Sequence, residues 1–504
     1  MIKRIISLTM AITAVCAVFC SAFNVCATDT DLTVTLASVK EVEELSYGEY
    51  SLKYADMPQS KNTYSAAISE EAPVISTEEN EVSVQIDVLE SGLYNLEVEY
   101  KPLEGGLSPI ERRLYINGSQ PFKELENIRF ERCFKNATEI MLDKQGNDMI
   151  PDQQEVISVS KKRISDISGY YNNPYAFYLE KGINTITFVG MQENFSILAV
   201  RACPVKNPPS YSELEKIYKE KGYKNAEKSL PLINAENANL KSTYTLVPTT
   251  DRSSPSTVPY SPSKNKLNTI GGEGWSTPGM WLEWTVEVDE SALYQIDFRY
   301  KQNFAKGVSV KRKLYIDGEV PFAEAQGLTF DYGRSWSFCD NGYLYYLEKG
   351  THTIRLEAVL GDMGDVLMES EDFQYTLNAL YREIIMVTGT SPDIYRSYKI
   401  EQRIENLGQR LNELAKRSKK IIKRTEEIFG SSNSISVSLE AFALQLEEIA
   451  EEPEKITTLL SLAKEAGVNM LRVWGGGIFE KPHFYGRNHI FDERNTFGTG
   501  LYTA

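Results

Sequence analysis

Alternation of apolar and polar residues dominates the chain up to about residue 360. Leu93 to Tyr100 sets apolar side chains two apart, as does Leu293 to Tyr300, which is the period of a half-buried strand. In Trp281 to Val288 the same period puts Leu282, Trp284, Val286 and Val288 on one face. Trp281, Glu283, Thr285 and Glu287 fall on the other. Asn117-Gly118 and Asp317-Gly318 are dipeptides able to take positive φ in hairpin turns. Ser212-Glu213-Leu214-Glu215 reads as the capping box of a short charged helix ending near Lys221. From residue 400 the period becomes helical: Ile400, Ile404, Leu407, Leu411, Leu414 and Ile421 form one stripe among Lys, Arg and Glu. Such a helix needs a partner to cover it.

The strand pattern occurs twice. Glu90-Ser91-Gly92-Leu93-Tyr94 recurs as Glu290-Ser291-Ala292-Leu293-Tyr294, and Leu114-Tyr115-Ile116-Asn117-Gly118 as Leu314-Tyr315-Ile316-Asp317-Gly318, both at an offset of 200. Further on, Tyr178-Leu179-Glu180-Lys181-Gly182 matches Tyr346-Leu347-Glu348-Lys349-Gly350 at an offset of 168, so the first copy carries a 32-residue insertion between about 133 and 168. Self-similarity on this scale predicts two tandem domains. Many short strands separated by turns predict β-sandwiches of jelly-roll type.

The ends differ from this middle. Lys3 and Arg4 precede an apolar stretch from Ile5 to about Phe23 and then Val25-Cys26-Ala27, the form of a secretory signal. The expected order is a signal peptide over 1–27 and a first sandwich over 28–206. A linker helix follows over 207–229 and a second sandwich over 230–386. A helical segment over 387–450 and a short βα fragment with an irregular tail over 451–504 complete it. A secreted or wall-associated protein with no membrane span after signal removal is expected.

Composition narrows the chemistry. Only 3 His occur in 504 residues, too few for a zinc hydrolase or a His-based triad to be a natural reading. A net charge of −16 argues against nucleic acid, whose phosphates require clustered Lys and Arg. Cys133, Cys203 and Cys339 lie far apart with no CxxC spacing, so buried free thiols are expected rather than disulfides or a metal knuckle. Asp143 to Asp148 imitates a calcium loop, but its Gly stands fourth and no Glu closes it, so it is rejected.

Ile233-Asn234-Ala235-Glu236-Asn237-Ala238, Trp281-Leu282-Glu283-Trp284-Thr285-Val286, Leu314-Tyr315-Ile316-Asp317-Gly318 and Leu347-Glu348-Lys349-Gly350-Thr351-His352-Thr353-Ile354 follow one another in the second copy. This order resembles the galactose-binding-like β-sandwiches of carbohydrate-binding module families 6 and 35. The resemblance implies a polysaccharide or oligosaccharide partner, no catalytic residues, and a structural calcium at Glu236 as the one cofactor to consider. Sugars offer an apolar C–H face and a polar edge, which an aromatic plate and nearby hydrogen-bonding groups complement. Trp275, Trp281 and Trp336 are the candidate plates, Trp275 and Trp281 on a loop or rim. Asp331, Arg334 and Asp340 are the polar edges. The first copy contains no Trp, so binding is expected in the second.

Two such sandwiches followed by Leu380-Tyr381-Arg382-Glu383-Ile384-Ile385-Met386-Val387-Thr388-Gly389 look like the N-terminal half of Firmicute extracellular solute-binding proteins of sugar ABC importers. That likeness implies a transporter permease or another surface protein as partner. Ala466 to Glu480 resembles one βα unit of the family 2 β-mannosidase barrel, where Arg472 and Trp474 would line a sugar subsite. A barrel needs about 250 residues and paired carboxylates, for which the tail has no room. Three readings stay open: a secreted, non-catalytic carbohydrate-binding protein, a truncated glycosidase fragment, and sandwiches serving as structural spacers.

Overall fold

The computed structural model describes residues 41–457, apart from 43–44, 67, 69–71, 305, 390–391 and 394. The signal stretch, Arg472, Trp474 and the βα fragment lie outside the described residues. Within them the fold is mostly β, two sandwiches followed by helices.

The first sandwich closes two sheets over one core. Ser119–Gln120, Ile110–Ile116, Gly182–Gln192 and Glu81–Val88 form one sheet, with Ile128–Phe130 beside Ile110–Ile116. Ser160–Arg163, Gly92–Pro102, Phe195–Pro204 and Tyr64–Ser65 form the other. Alternation drives the packing: Val84, Ile86 and Val88 from one sheet meet Tyr94, Leu96 and Val98 from the other, all buried.

The second sandwich is built on a seven-stranded sheet that the first copy completes. Its order is Gln153–Val156, Cys133–Asn136, Leu240–Lys241, Trp281–Val288, Gly350–Val359, Val310–Ile316 and Leu328–Phe330. The first two strands are the insertion of the first copy, a hairpin that crosses over to pair with its neighbour. Lys241 fastens them: its buried ammonium donates to Asn136 Oδ1 (2.5 Å) and Gln153 Oε1 (2.6 Å). At the tip, Asp143 holds the turn through the backbone N–H groups of Gln145 and Asn147, while Asp148 pairs with Lys266 of the second copy at 2.6 Å. Leu282, Trp284, Val286 and Val288 line the core as their period requires.

Each sandwich begins with a capped helix docked on it. Ser46 caps Tyr47–Lys53 and Ser210 caps Tyr211–Lys221, each with a glutamate three residues on returning the bond. The second helix thus starts two residues before the Ser212 box read from the sequence. Its hydrogen bonds duplicate the first: Tyr47 and Tyr211 hydroxyls accept from the N–H of Ala176 and Leu344, Tyr50 and Tyr218 from Tyr178 and Tyr346. The segment between the sandwiches is therefore the opening element of the second, bound to it by side-chain caps.

Helix also begins earlier than residue 387, where the helical segment was expected to start. Met363–Thr388 is one helix whose Val366, Leu367, Phe373, Leu377, Leu380 and Ile384 are buried in the second sandwich's core cluster. Those apolar residues recur at helical spacing, so the span expected to end the sandwich is helix from Met363. Ile400–Arg403 and Leu407–Phe429 share the expected stripe, divided at Asn406, which takes φ 54°. Ser434–Glu451 supplies the partner: Leu439, Phe442 and Leu446 bury against the stripe, and Phe373 meets Phe442 edge-on at 6.1 Å.

Candidate functional site

The strand Ser337–Cys339 pairs with Phe298–Tyr300 and alternates its side chains. Cys339 turns into the core, so Phe338 turns out and is 68% exposed, its ring under the Arg299 guanidinium at 5.3 Å. Trp336 precedes this strand, half-buried, with its indole Nε1 buried and bonded to nothing. Asp331, Arg334 and Asp340 are exposed on the same stretch. Asp340 accepts from the Gln295 side chain at 2.8 Å and the Gly342 N–H at 2.9 Å, and the Tyr300 hydroxyl accepts the Asp331 N–H at 3.1 Å. These bonds fix the loop while leaving carboxylate oxygen and guanidinium capacity at its surface. Burial, with the charges of Asp331, Asp297 and Asp340, pushes the Cys339 thiol up to about 11, so it stays a neutral packing group.

Four of the candidates therefore share one loop and strand, residues 331–340. Phe338 was missed, although the alternation that buries Cys339 places it outward. Trp275 stands apart and is locally engaged: its Nε1 donates to the Met280 carbonyl at 2.8 Å and Arg312 covers its ring at 4.4 Å.

Trp281 is a correction. It is 2% exposed, neither rim nor plate. Glu131 of the first copy and Arg355 of the neighbouring strand engage Trp281 on that outer face, where Glu283 is buried as well. The indole Nε1 donates to Glu131 of the first copy at 2.6 Å, and the Arg355 guanidinium stacks on the ring at 3.9 Å while pairing with Glu283 at 2.7 Å. Glu131 also receives Lys162 at 2.8 Å. Burial pushes the Glu131 carboxyl up, but Lys162, the indole N–H and Arg355 outweigh it and hold it below its usual range. Beside it, burial raises Glu357 and lowers Lys313. The junction between the copies is thus a cluster of paired, partly buried charges around the buried Trp281 indole.

Glu236 is 3% exposed, and burial raises its carboxyl above the usual range. Among the described residues no group of three or more His, Cys, Asp or Glu could hold a metal ion. A calcium shell needs six to eight oxygens, and among the described residues carboxylate side chains do not assemble one around Glu236. The free thiols Cys133, Cys203 and Cys339 are all buried. Among the described residues no helix is long and apolar enough to cross a membrane.

Residues 365–466 match the family of bacterial solute-binding protein 4-helix bundle domains, which covers the helices that follow the second sandwich. No curated protein matches the chain. Among solved structures, a family 35 carbohydrate-binding module from Clostridium thermocellum is 13% identical over 29% of this chain and 94% of its own, with a TM-score of 0.14. A cycloisomaltooligosaccharide glucanotransferase of Paenibacillus sp. is 22% identical over 31% of this chain, with a TM-score of 0.20. The GH26-CBM35 β-(1,4)-mannanase of Podospora anserina is 11% identical over 36%, with a TM-score of 0.17. This chain spans 21% of the glucanotransferase and 32% of the mannanase. Matches this low assign no function by themselves.

Proposed function

We propose that this is an extracellular, non-catalytic carbohydrate-binding protein whose sugar site is the 331–340 stretch of the second sandwich. The observation that carries it is the exposed Phe338 ring, two residues from the half-buried Trp336 on a stretch that also exposes Asp331, Arg334 and Asp340. An aromatic plate takes the C–H face of a pyranose, while carboxylates and guanidinium take its hydroxyls. With Asp297, Asp331 and Asp340 around Cys339, a neutral glycan fits better than an anionic one. Trp281 and Trp275 have their donors and ring faces engaged and are left out of the site.

The match of residues 365–466 to a solute-binding bundle supports a place in sugar capture for uptake, with a transporter permease or another surface protein as partner. A spacer role is the second reading, favoured by the hydrogen bond that joins the copies at Trp281, with an ion pair on each side of it. A glycan array with the full chain, Phe338→Ala and Trp336→Ala separates them. Binding lost in both variants supports the site, unchanged binding places it elsewhere, and no binding by the wild type leaves the spacer reading. Hydrolysis of an aryl β-mannoside by the purified chain would overturn the non-catalytic reading.

A further inference from the structure

The two hairpin turns of the repeat share one scaffold but differ in one pair of side chains. In the first copy Asn117 takes φ 51°, accepts the Thr185 N–H at 2.8 Å through Oδ1, and donates to Asn184 Oδ1 at 3.0 Å. Asn184 in turn donates to the Glu180 carbonyl at 2.7 Å. In the second copy Asp317, also at φ 51°, accepts the Thr353 N–H at 2.8 Å. His352 stands where the first copy has Asn184. Its Nδ1 lies 2.6 Å from Asp317 Oδ2 and its Nε2 2.7 Å from the Glu348 carbonyl.

The amide pair of the first copy is complete at any pH, because each amide carries both donor and acceptor. The imidazole of the second faces an acceptor at each nitrogen, so both contacts are bonds only in the imidazolium. Losing the proton turns one of them into a lone pair against an oxygen. Asp317 from the turn and Glu348 from the loop before the strand are the charged groups acting on the ring. On the paired strand its register partner is Val286, and the adjacent Glu287 is held by Thr351 at 2.7 Å. Two residues past Asp317, Glu319 reaches Lys206 at 2.9 Å and Arg163 of the first copy at 3.6 Å. The turn that His352 braces is thus itself a contact between the copies.

We propose that Asp317 and His352 form a protonation-sensitive latch that fixes the second copy's hairpin turn and, through Glu319, its contact with the first copy. Burial lowers the proton affinity of His352, but Asp317 and the Glu348 carbonyl outweigh it and the net shift is upward. A raised value in the folded state means the stabilisation is fully present below the ordinary value of about 6.5 and is lost as pH rises through the folded one.

Two measurements on the full chain test this. NMR titration of the His352 ring is expected to place its midpoint above the ordinary histidine value; a midpoint at or below that value overturns the latch without any variant. Hydrogen exchange between pH 5.5 and 8.5 is the second. Protection factors of the Asp317 and Thr353 amides are expected to fall several-fold in the wild type. In Asp317→Asn with His352→Asn, which restores the first copy's amide pair, they are expected to stay level. Equal pH dependence in both proteins contradicts the proposal.

Discussion

Replacing Trp281 by Ala strikes the junction on which the arrangement of the two copies depends. The indole is 2% exposed, donates to Glu131 at 2.6 Å and carries Arg355 on its ring at 3.9 Å. Truncating a buried Trp costs about 3–5 kcal/mol. Glu131 would also lose its indole donor and Arg355 its ring, though each keeps an ion-pair partner, so a loss of about 3–5 kcal/mol is expected. Trp281→Phe keeps a ring for Arg355 but loses the charge-assisted hydrogen bond, which is worth about 1.5–3 kcal/mol. Urea denaturation followed by far-UV circular dichroism gives the ordering wild type, Phe, Ala. Hydrogen exchange should show Cys133–Asn136 and Gln153–Val156 losing protection first, because they enter the second sheet at Lys241, whose register partner Leu282 adjoins Trp281. A loss below about 1 kcal/mol in the Ala variant, near the scale of a surface substitution, would refute the reasoning, as would unchanged protection of the hairpin.

Three further outcomes follow from particular contacts. Arg132 is 1% exposed between Glu155 at 2.5 Å and Glu193 at 2.9 Å, so Arg132→Met is expected to cost about 3–5 kcal/mol in chemical denaturation by stranding both carboxylates. Burial lowers Lys241 to about 8, so the unfolded chain binds more protons between there and about 10.4. Wild-type stability is therefore expected to gain on Lys241→Met as pH rises through that window, which melts of the two proteins from pH 7.5 to 10.5 would show. A Cβ on Gly364 would stand 2.3 Å from the Tyr170 carbonyl oxygen. Helix propensity favours Ala by about 1 kcal/mol, but backbone overlap of this kind costs about 1–3, so Gly364→Ala should lower the melting temperature.

Local pattern carried the elements whose burial is decided within their own sandwich. Leu282, Trp284, Val286 and Val288 follow from period 2, and Ile400 to Ile421 from the helical stripe, because the neighbours that cover them are adjacent in the fold. Trp281 did not follow. Its strand position points outward, and its partner Glu131 arrives from the other copy, which alternation alone cannot aim. The helix Tyr47–Lys53 was open to discovery, since Ser46-x-x-Glu49 repeats the Ser210-x-x-Glu213 box. Met363–Thr388 fell within the span expected for the second sandwich, with whose core its apolar face is buried. At the candidate site Trp336, Asp331, Arg334 and Asp340 were found by residue type, while Phe338 required the observation that Cys339 faces inward.

Indole fluorescence tests the central claim most directly, using a glycan bound by the wild type on the array. Saturable addition of that glycan should shift or quench the wild-type emission, and Trp336→Phe should abolish the optical change while the other indoles keep their emission. An undiminished change in Trp336→Phe would place the sugar away from residues 331–340 and contradict the account.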